Sequence, residues 1–297
     1  MRRYRPNWLA IYCIIVLLIS LAITGKCTYL IRKELVIRNI ISKEINYDEF
    51  RNIRIDKTKL DRIQEYTHNL VVSNNDLEGH PYINEIGYLT FSMMLSDYNI
   101  LDKTVPDADM FTQTIGRVSQ TKAFQELYQY YEGIFSDIRY FPVPLMGKSA
   151  HKVAYEDSWY APRSYGGSRN HEGTDLIASN NTPGYFPVLS ISDGIVENMG
   201  WLERGGYRIG IRSESGAYFY YAHMDTFAPE LKIGDMVIAG ELIGFMGDTG
   251  YGPEGTRGQF DVHLHLGIYV VSDKTEISVN PYWILKILEH SRTELVH

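Results

Sequence analysis

Val262-His263-Leu264-His265-Leu266-Gly267-Ile268-Tyr269-Val270-Val271 reads as a β-strand, rich in β-branched and aromatic residues. Residues two apart on a strand point to the same face, so the imidazoles of His263 and His265 enter one site. Working outward, similar short segments run from Gly184 to Val188, Gly194 to Asn198, Tyr207 to Arg212, Ala217 to Ala222 and Leu242 to Met246. Turn residues (Gly, Pro, Asn and Asp) separate them, which predicts a mainly antiparallel β domain. Its upstream edge falls at Phe141-Pro142-Val143-Pro144, where a helical pattern stops. Residues 140–290 are assigned to this domain.

Upstream, the text from 28 to about 136 is helical. Ile83, Ile86, Thr90, Met93 and Met94 fall at helical spacing, as do Phe124, Leu127, Tyr128, Tyr131 and Phe135. Residues 26–139 are therefore read as a small helical domain or stalk with core-facing stripes and no chemistry of its own. Ahead of it, an uncharged apolar run from Trp8 to about Thr24 has the length of a membrane span. Arg2, Arg3 and Arg5 favour a cytoplasmic N-terminus, although Lys26, Arg32 and Lys33 weaken that bias. Ile23-Thr24-Gly25-Lys26 makes a poor cleavage site, which points to an uncleaved signal anchor. The expected layout is a cytoplasmic tail at 1–7 and a transmembrane helix at 8–25. All that follows lies outside the cytoplasm of a single-pass membrane protein, and the fold class is α+β.

The net charge of -7 argues against nucleic acid as a main partner, because phosphate binding shows as a basic excess. Cys13 sits inside the apolar run and Cys27 just beyond it, so no disulfide is expected between them. Their count and position also exclude a thiolate metal site. Lys26 directly before Cys27 is unsuited to a lipoprotein cleavage site.

Three settings carry chemistry. In Arg169-Asn170-His171-Glu172-Gly173-Thr174-Asp175, a histidine and a carboxylate four apart can reach one metal if the intervening loop bends, which Gly173 permits. His223 ends an aromatic strand, and His263-Leu264-His265 supplies the strand pair. Two histidines and one carboxylate leave a tetrahedral zinc with an open position for water, whose pKa falls to roughly 7. Peptide hydrolysis further needs a group that takes and returns a proton and one that stabilises the oxyanion. Two further imidazoles suit those tasks.

Together these motifs resemble the LytM/lysostaphin-type metallopeptidases, family M23, which carry an H-x3-D segment, a lone histidine after an aromatic strand, and an H-x-H segment. The resemblance covers about residues 140 to 283, and Gly240-Glu241-Leu242-Ile243-Gly244 and Met246-Gly247-Asp248-Thr249-Gly250 are similar to the turn before the family's last motif. It implies one Zn2+ held by His171, Asp175 and His265, with His223 and His263 as catalytic histidines that are not ligands. We assign water activation to His263 and stabilisation of the tetrahedral intermediate to His223. Arg169 is either a substrate contact or a plain surface arginine. The stretch Tyr251 to Phe260 is longer than the family's usual turn and is expected to wall the groove, and Leu266 stands where an aromatic residue often follows the second histidine.

The activity implied is endopeptidase cleavage of peptide cross-links or stem peptides of bacterial peptidoglycan. An alternative is a membrane-anchored, non-cleaving zinc scaffold or activator in wall remodelling or sporulation, with a protein partner at the helical region. Relatives without activity often lack motif residues, and none is missing here. His68, His80, His151, His290 and His297 are left unassigned. Glu172 lies outside any H-E-x-x-H setting and receives no catalytic role, and Asp193, Asp235 and Asp248 are read as turn residues.

Overall fold

Apolar text without a break produces one long helix at the start of the chain. In the computed structural model, which describes residues 7–73, 80–165, 167–272 and 275–295, helix α1 spans Trp8–Ser42. Asn7 caps it by accepting from Ala10 N. The helix runs 35 residues, past the expected end of the apolar span at 25, and is long and apolar enough to cross a membrane. Residues 1–6 of the expected tail, with Arg2, Arg3 and Arg5, lie outside the described residues, as does His297. Cys13 and Cys27 are free thiols. The chain divides into two compact units, Met1–Glu44 and Ile45–His297.

The second unit begins with helices α2 (Tyr47–Arg51), α3 (Lys57–Ser73), α4 (Glu85–Leu95), α5 (Ala108–Val118) and α6 (Lys122–Phe135). Side-chain caps start all five: Asn46, Asp56, Asn84, Asp107 and Thr121 each accept from a backbone N–H three residues on. Helix α4 is buried from Gly87 through Met94, well beyond the stripe its spacing predicts. Tyr88 stacks on Phe111 of α5 with ring centroids 4.3 Å apart.

Among the described residues, twelve strands follow. The first are β1 (Val153–Ala154), β2 (Pro162–Arg163), β3 (Arg169–Asn170), β4 (Thr174–Ala178) and β5 (Pro187–Leu189). Next come β6 (Gly194–Leu202), β7 (Gly206–Arg212), β8 (Tyr218–Phe227) and β9 (Met236–Val237). The last are β10 (Leu242–Met246), β11 (His263–Ser272) and β12 (Thr275–Val279), before helix α7 (Tyr282–Leu288). One antiparallel sheet runs β1-β4-β11-β8-β7-β6-β9, while β12 pairs β11 and β10 pairs both β5 and β8. The change of text at residue 140 marks where helices give way to strands, within one compact unit.

Strand β11 lies at the centre and divides its side chains between two faces. Leu264, Leu266, Ile268 and Val270 are buried on the core side, while His263, His265 and Tyr269 share the opposite one. A buried aliphatic at position 266 suits this arrangement, since that residue faces the core. Register does the rest: His265 stands directly opposite Asp175 on β4 and opposite Ala222 on β8.

Candidate metal centre

Cross-strand pairing and one tight approach build the centre. Asp175, on β4, is the register partner of His265, so carboxylate and imidazole emerge side by side. Asp175 thus reaches the site from a strand, and the link from His171 to that strand bends at Gly173. Gly173 is needed for space: a Cβ there would lie 2.6 Å from His265 Nε2 and 2.7 Å from the Leu266 carbonyl oxygen.

His171 Nε2, Asp175 Oδ1 and His265 Nδ1 form a triangle with all three sides 3.0 Å. Bonds of about 2.0–2.2 Å at tetrahedral angles separate ligand atoms by about 3.3 Å, so three lone-pair atoms at this spacing fit one small divalent cation. Among the described residues this is the one group with such an arrangement. His171 is fully buried, and its Nδ1–H donates to the Ser158 carbonyl at 3.1 Å, which turns Nε2 toward the triangle. The second oxygen of Asp175 accepts from Arg163 at 2.6 Å. Burial pushes the Asp175 carboxyl up, but the imidazoles of His171 and His265 against its Oδ1 outweigh burial and hold the group far below the usual carboxylate range. Burial lowers the His265 pKa, favouring the neutral ring that a metal ligand requires.

His263 and His223 stand beside the triangle, with ring centroids 4.6 Å apart. His263 Nε2 is 3.9 Å from Asp175 Oδ1, and its Nδ1 lies 2.8 Å from the Asp261 carbonyl. His223 Nδ1 lies 2.7 Å from the Thr249 carbonyl. A carbonyl oxygen only accepts, so both rings carry the proton on Nδ1 and leave Nε2 as a base. Burial lowers both pKa values; the neighbouring imidazoles lower that of His223 further, whereas the Asp175 charge opposes the shift at His263.

His223 reaches this face through an irregularity. Tyr207 pairs Met224 and Ile209 pairs Tyr221, so β8 has one extra residue there, and His223 sits in left-handed backbone at φ 61°. This bulge re-aims a side chain that strict alternation would send to the other face.

Several neighbours were not singled out by the sequence. Arg163, Ser158 and the Thr249 and Asp261 carbonyls act on the site, and only Asp261 is a near neighbour in sequence of the residue it holds. Of the long stretch, Tyr251 and Phe260 pack against His223, and Tyr251 stacks on Tyr165 at 4.1 Å, so it does wall the cleft. Arg169 donates to the Tyr251 hydroxyl. Glu172 points away from the triangle, accepting from Arg51 and Ser278. Asp193, Asp235 and Asp248 each accept from a loop backbone N–H.

Residues 169–281 match the family described as Peptidase family M23. Among curated proteins, an L-Ala–D-Glu endopeptidase of Bacillus subtilis (strain 168) is 40% identical over 177 residues, covering 60% of this chain and 51% of that protein. Glycyl-glycine endopeptidase ALE-1 of Staphylococcus capitis is 38% identical over 112 residues, covering 35% of this chain and 29% of that one. The chain thus spans about half or less of these relatives' length. A crystal structure of a candidate glycyl-glycine endopeptidase lytM from Ruminococcus gnavus ATCC 29149 has a TM-score of 0.67 at 37% identity, covering 88% of this chain and 98% of that one.

Proposed function

The chain belongs to peptidase family M23, and from that premise we propose that it is a zinc endopeptidase cutting cross-links or stem peptides of peptidoglycan. The observation that carries this reading is the 3.0 Å triangle of His171, Asp175 and His265 with two base-bearing imidazoles beside it. A zinc ion there would polarise the scissile carbonyl and lower the pKa of a water to roughly 7.

The chain's own groups do the rest. His263 Nε2 takes a proton from the attacking water, helped by the Asp175 charge 3.9 Å away, and returns it to the leaving amine. With its Nδ1–H committed to Thr249, His223 donates to the tetrahedral oxyanion through Nε2 after taking up a proton from solvent, which the oxyanion's charge favours. Arg163 steadies Asp175 through the oxygen that faces away from the triangle. Helix α1 anchors the protein in the cytoplasmic membrane and keeps the catalytic face in the wall compartment.

The test uses the full chain in detergent, with its metal content measured, incubated with peptidoglycans of direct and glycine-bridged cross-linking. Mass spectrometry should find released peptides that vanish with His263→Ala. Stoichiometric metal without any fragments would overturn the peptidase reading and favour the non-cleaving scaffold, with the helical region from 26 to 139 as the place to seek a partner.

A further inference from the structure

A cavity of about 690 Å³ extends from the metal triangle over the β7 and β8 face of the sheet. Arg208 lines it from β7, and its Nη1 is shut off from solvent without any hydrogen-bond partner. A desolvated guanidinium nitrogen left unpaired is costly, and such groups are nearly always satisfied. The nearby acids do not satisfy it. Glu197 and Glu276 are both taken by Arg212, at 2.7 Å for Glu197 Oε2. No ion pair of Arg208 with a described carboxylate is formed within 4 Å. Tyr218 and Tyr220 line the same cavity, and Arg208 stands two residues before Gly210, the register partner of Tyr220 on β8. Tyr220 in turn lies 6.0 Å, ring to ring, from His265. One tyrosine therefore separates the unsatisfied cation from the metal triangle. Arg169, also lining the cavity, has Nε buried and unpartnered.

We propose that Arg208 is a specificity-determining residue that receives a free carboxylate of the substrate near the scissile bond, so that the protein acts on acidic peptides in preference to oligoglycine. The inference rests on the endopeptidase reading above. A carboxylate matches the planar donor fork of a guanidinium, and charge-assisted hydrogen bonds in a shielded site are the strong ones. The carboxylate comes either from an α-carboxyl beside the cut bond or from the peptide's C-terminus.

Two pairs of synthetic stem peptides decide between these sources. One pair carries γ-linked D-Glu with its α-carboxyl free or amidated; the other has a free or amidated C-terminus. The ratio of kcat/KM for acid over amide should reach about 10- to 100-fold in one pair for the full chain and approach unity with Arg208→Gln. Arg208→Lys should retain part of the preference. Arg208→Met should melt no lower than the parent, because it removes an unsatisfied buried charge; a lower melting temperature would mark a structural residue. Ratios near unity in both pairs with the unaltered chain would overturn the inference even where both peptides are cut. If none is cut, calorimetric binding of the same pairs to His263→Ala decides it. Preferential binding of the acid, lost on combining with Arg208→Gln, upholds the carboxylate site while the peptidase reading falls. Equal binding sinks the inference.

Discussion

His223 is a buried, neutral imidazole held in left-handed backbone, with its Nδ1 proton committed to Thr249. In an unfolded chain the same ring titrates near pH 6.5. Its folded pKa is lowered, by burial first and then by the imidazoles of His263 and His265. Below about pH 6.5 the unfolded state therefore binds a proton that the folded state refuses, and stability falls as pH falls toward the folded pKa. With chelator present, denaturant titrations should show the parent losing up to about 1.4 kcal/mol more per pH unit below 6.5 than His223→Asn, since Asn tolerates the backbone. Equal slopes would mean that His223 is solvated. At this scale the sequence was partly legible. Period-two spacing put His263 and His265 on one face, and the motif order placed His171 and Asp175 near them, while the roles of all five stay within the proposal. Arg163 and the Thr249 carbonyl were not legible, because nothing local in the text links position 163 to 175 or 223 to 249, and the Asp261 carbonyl, though two residues from His263, is backbone and leaves no mark in residue type.

At the scale of elements, the site depends on β4 and β11 pairing in a single register with very little room between them. Gly173 sets that room. Gly173→Ala would push a methyl against the His265 imidazole and the Leu266 carbonyl, displacing a ring that belongs to the triangle. Overpacking of this kind costs about 1–3 kcal/mol, and a displaced ligand weakens metal binding further. Competition with a chromogenic chelator should report at least about tenfold weaker metal affinity. Unchanged affinity would show that the strands yield without moving His265. The strands around β6, β7, β8, β10 and β11 were readable because their residues are β-branched or aromatic and turn residues bound them. Strand β4 was not among the segments read as strands, since Thr174–Ala178 is short and adjoins a glycine. The bulge at His223 leaves no mark in composition, because it is a mismatch between two strands and belongs to neither alone.

Across the whole second unit, the helices and the sheet share a partly buried polar network. From the end of α2, Arg51 donates to the Ser278 carbonyl, the Ser278 hydroxyl and Glu172, which is the residue after His171. The side chain of Asn280, fully buried, donates to Asn52 and Asp157, and its backbone N–H donates to the Arg51 carbonyl. These partners lie more than a hundred residues apart in sequence, so the helices were legible one by one while their attachment to the sheet was not. Calorimetry of the full chain in detergent should show Ile45–His297 melting in one transition, with calorimetric and van't Hoff enthalpies equal. Two resolved transitions would mean that the helices and the sheet unfold separately.

Arg51 carries one more consequence, which concerns portability. The five histidine and aspartate positions occupy a stretch of the chain from 171 to 265 that could be copied into another protein as text. The guanidinium that braces the loop between the first two of them comes from a helix far upstream. A graft of that stretch alone would carry every named ligand and arrive without its brace.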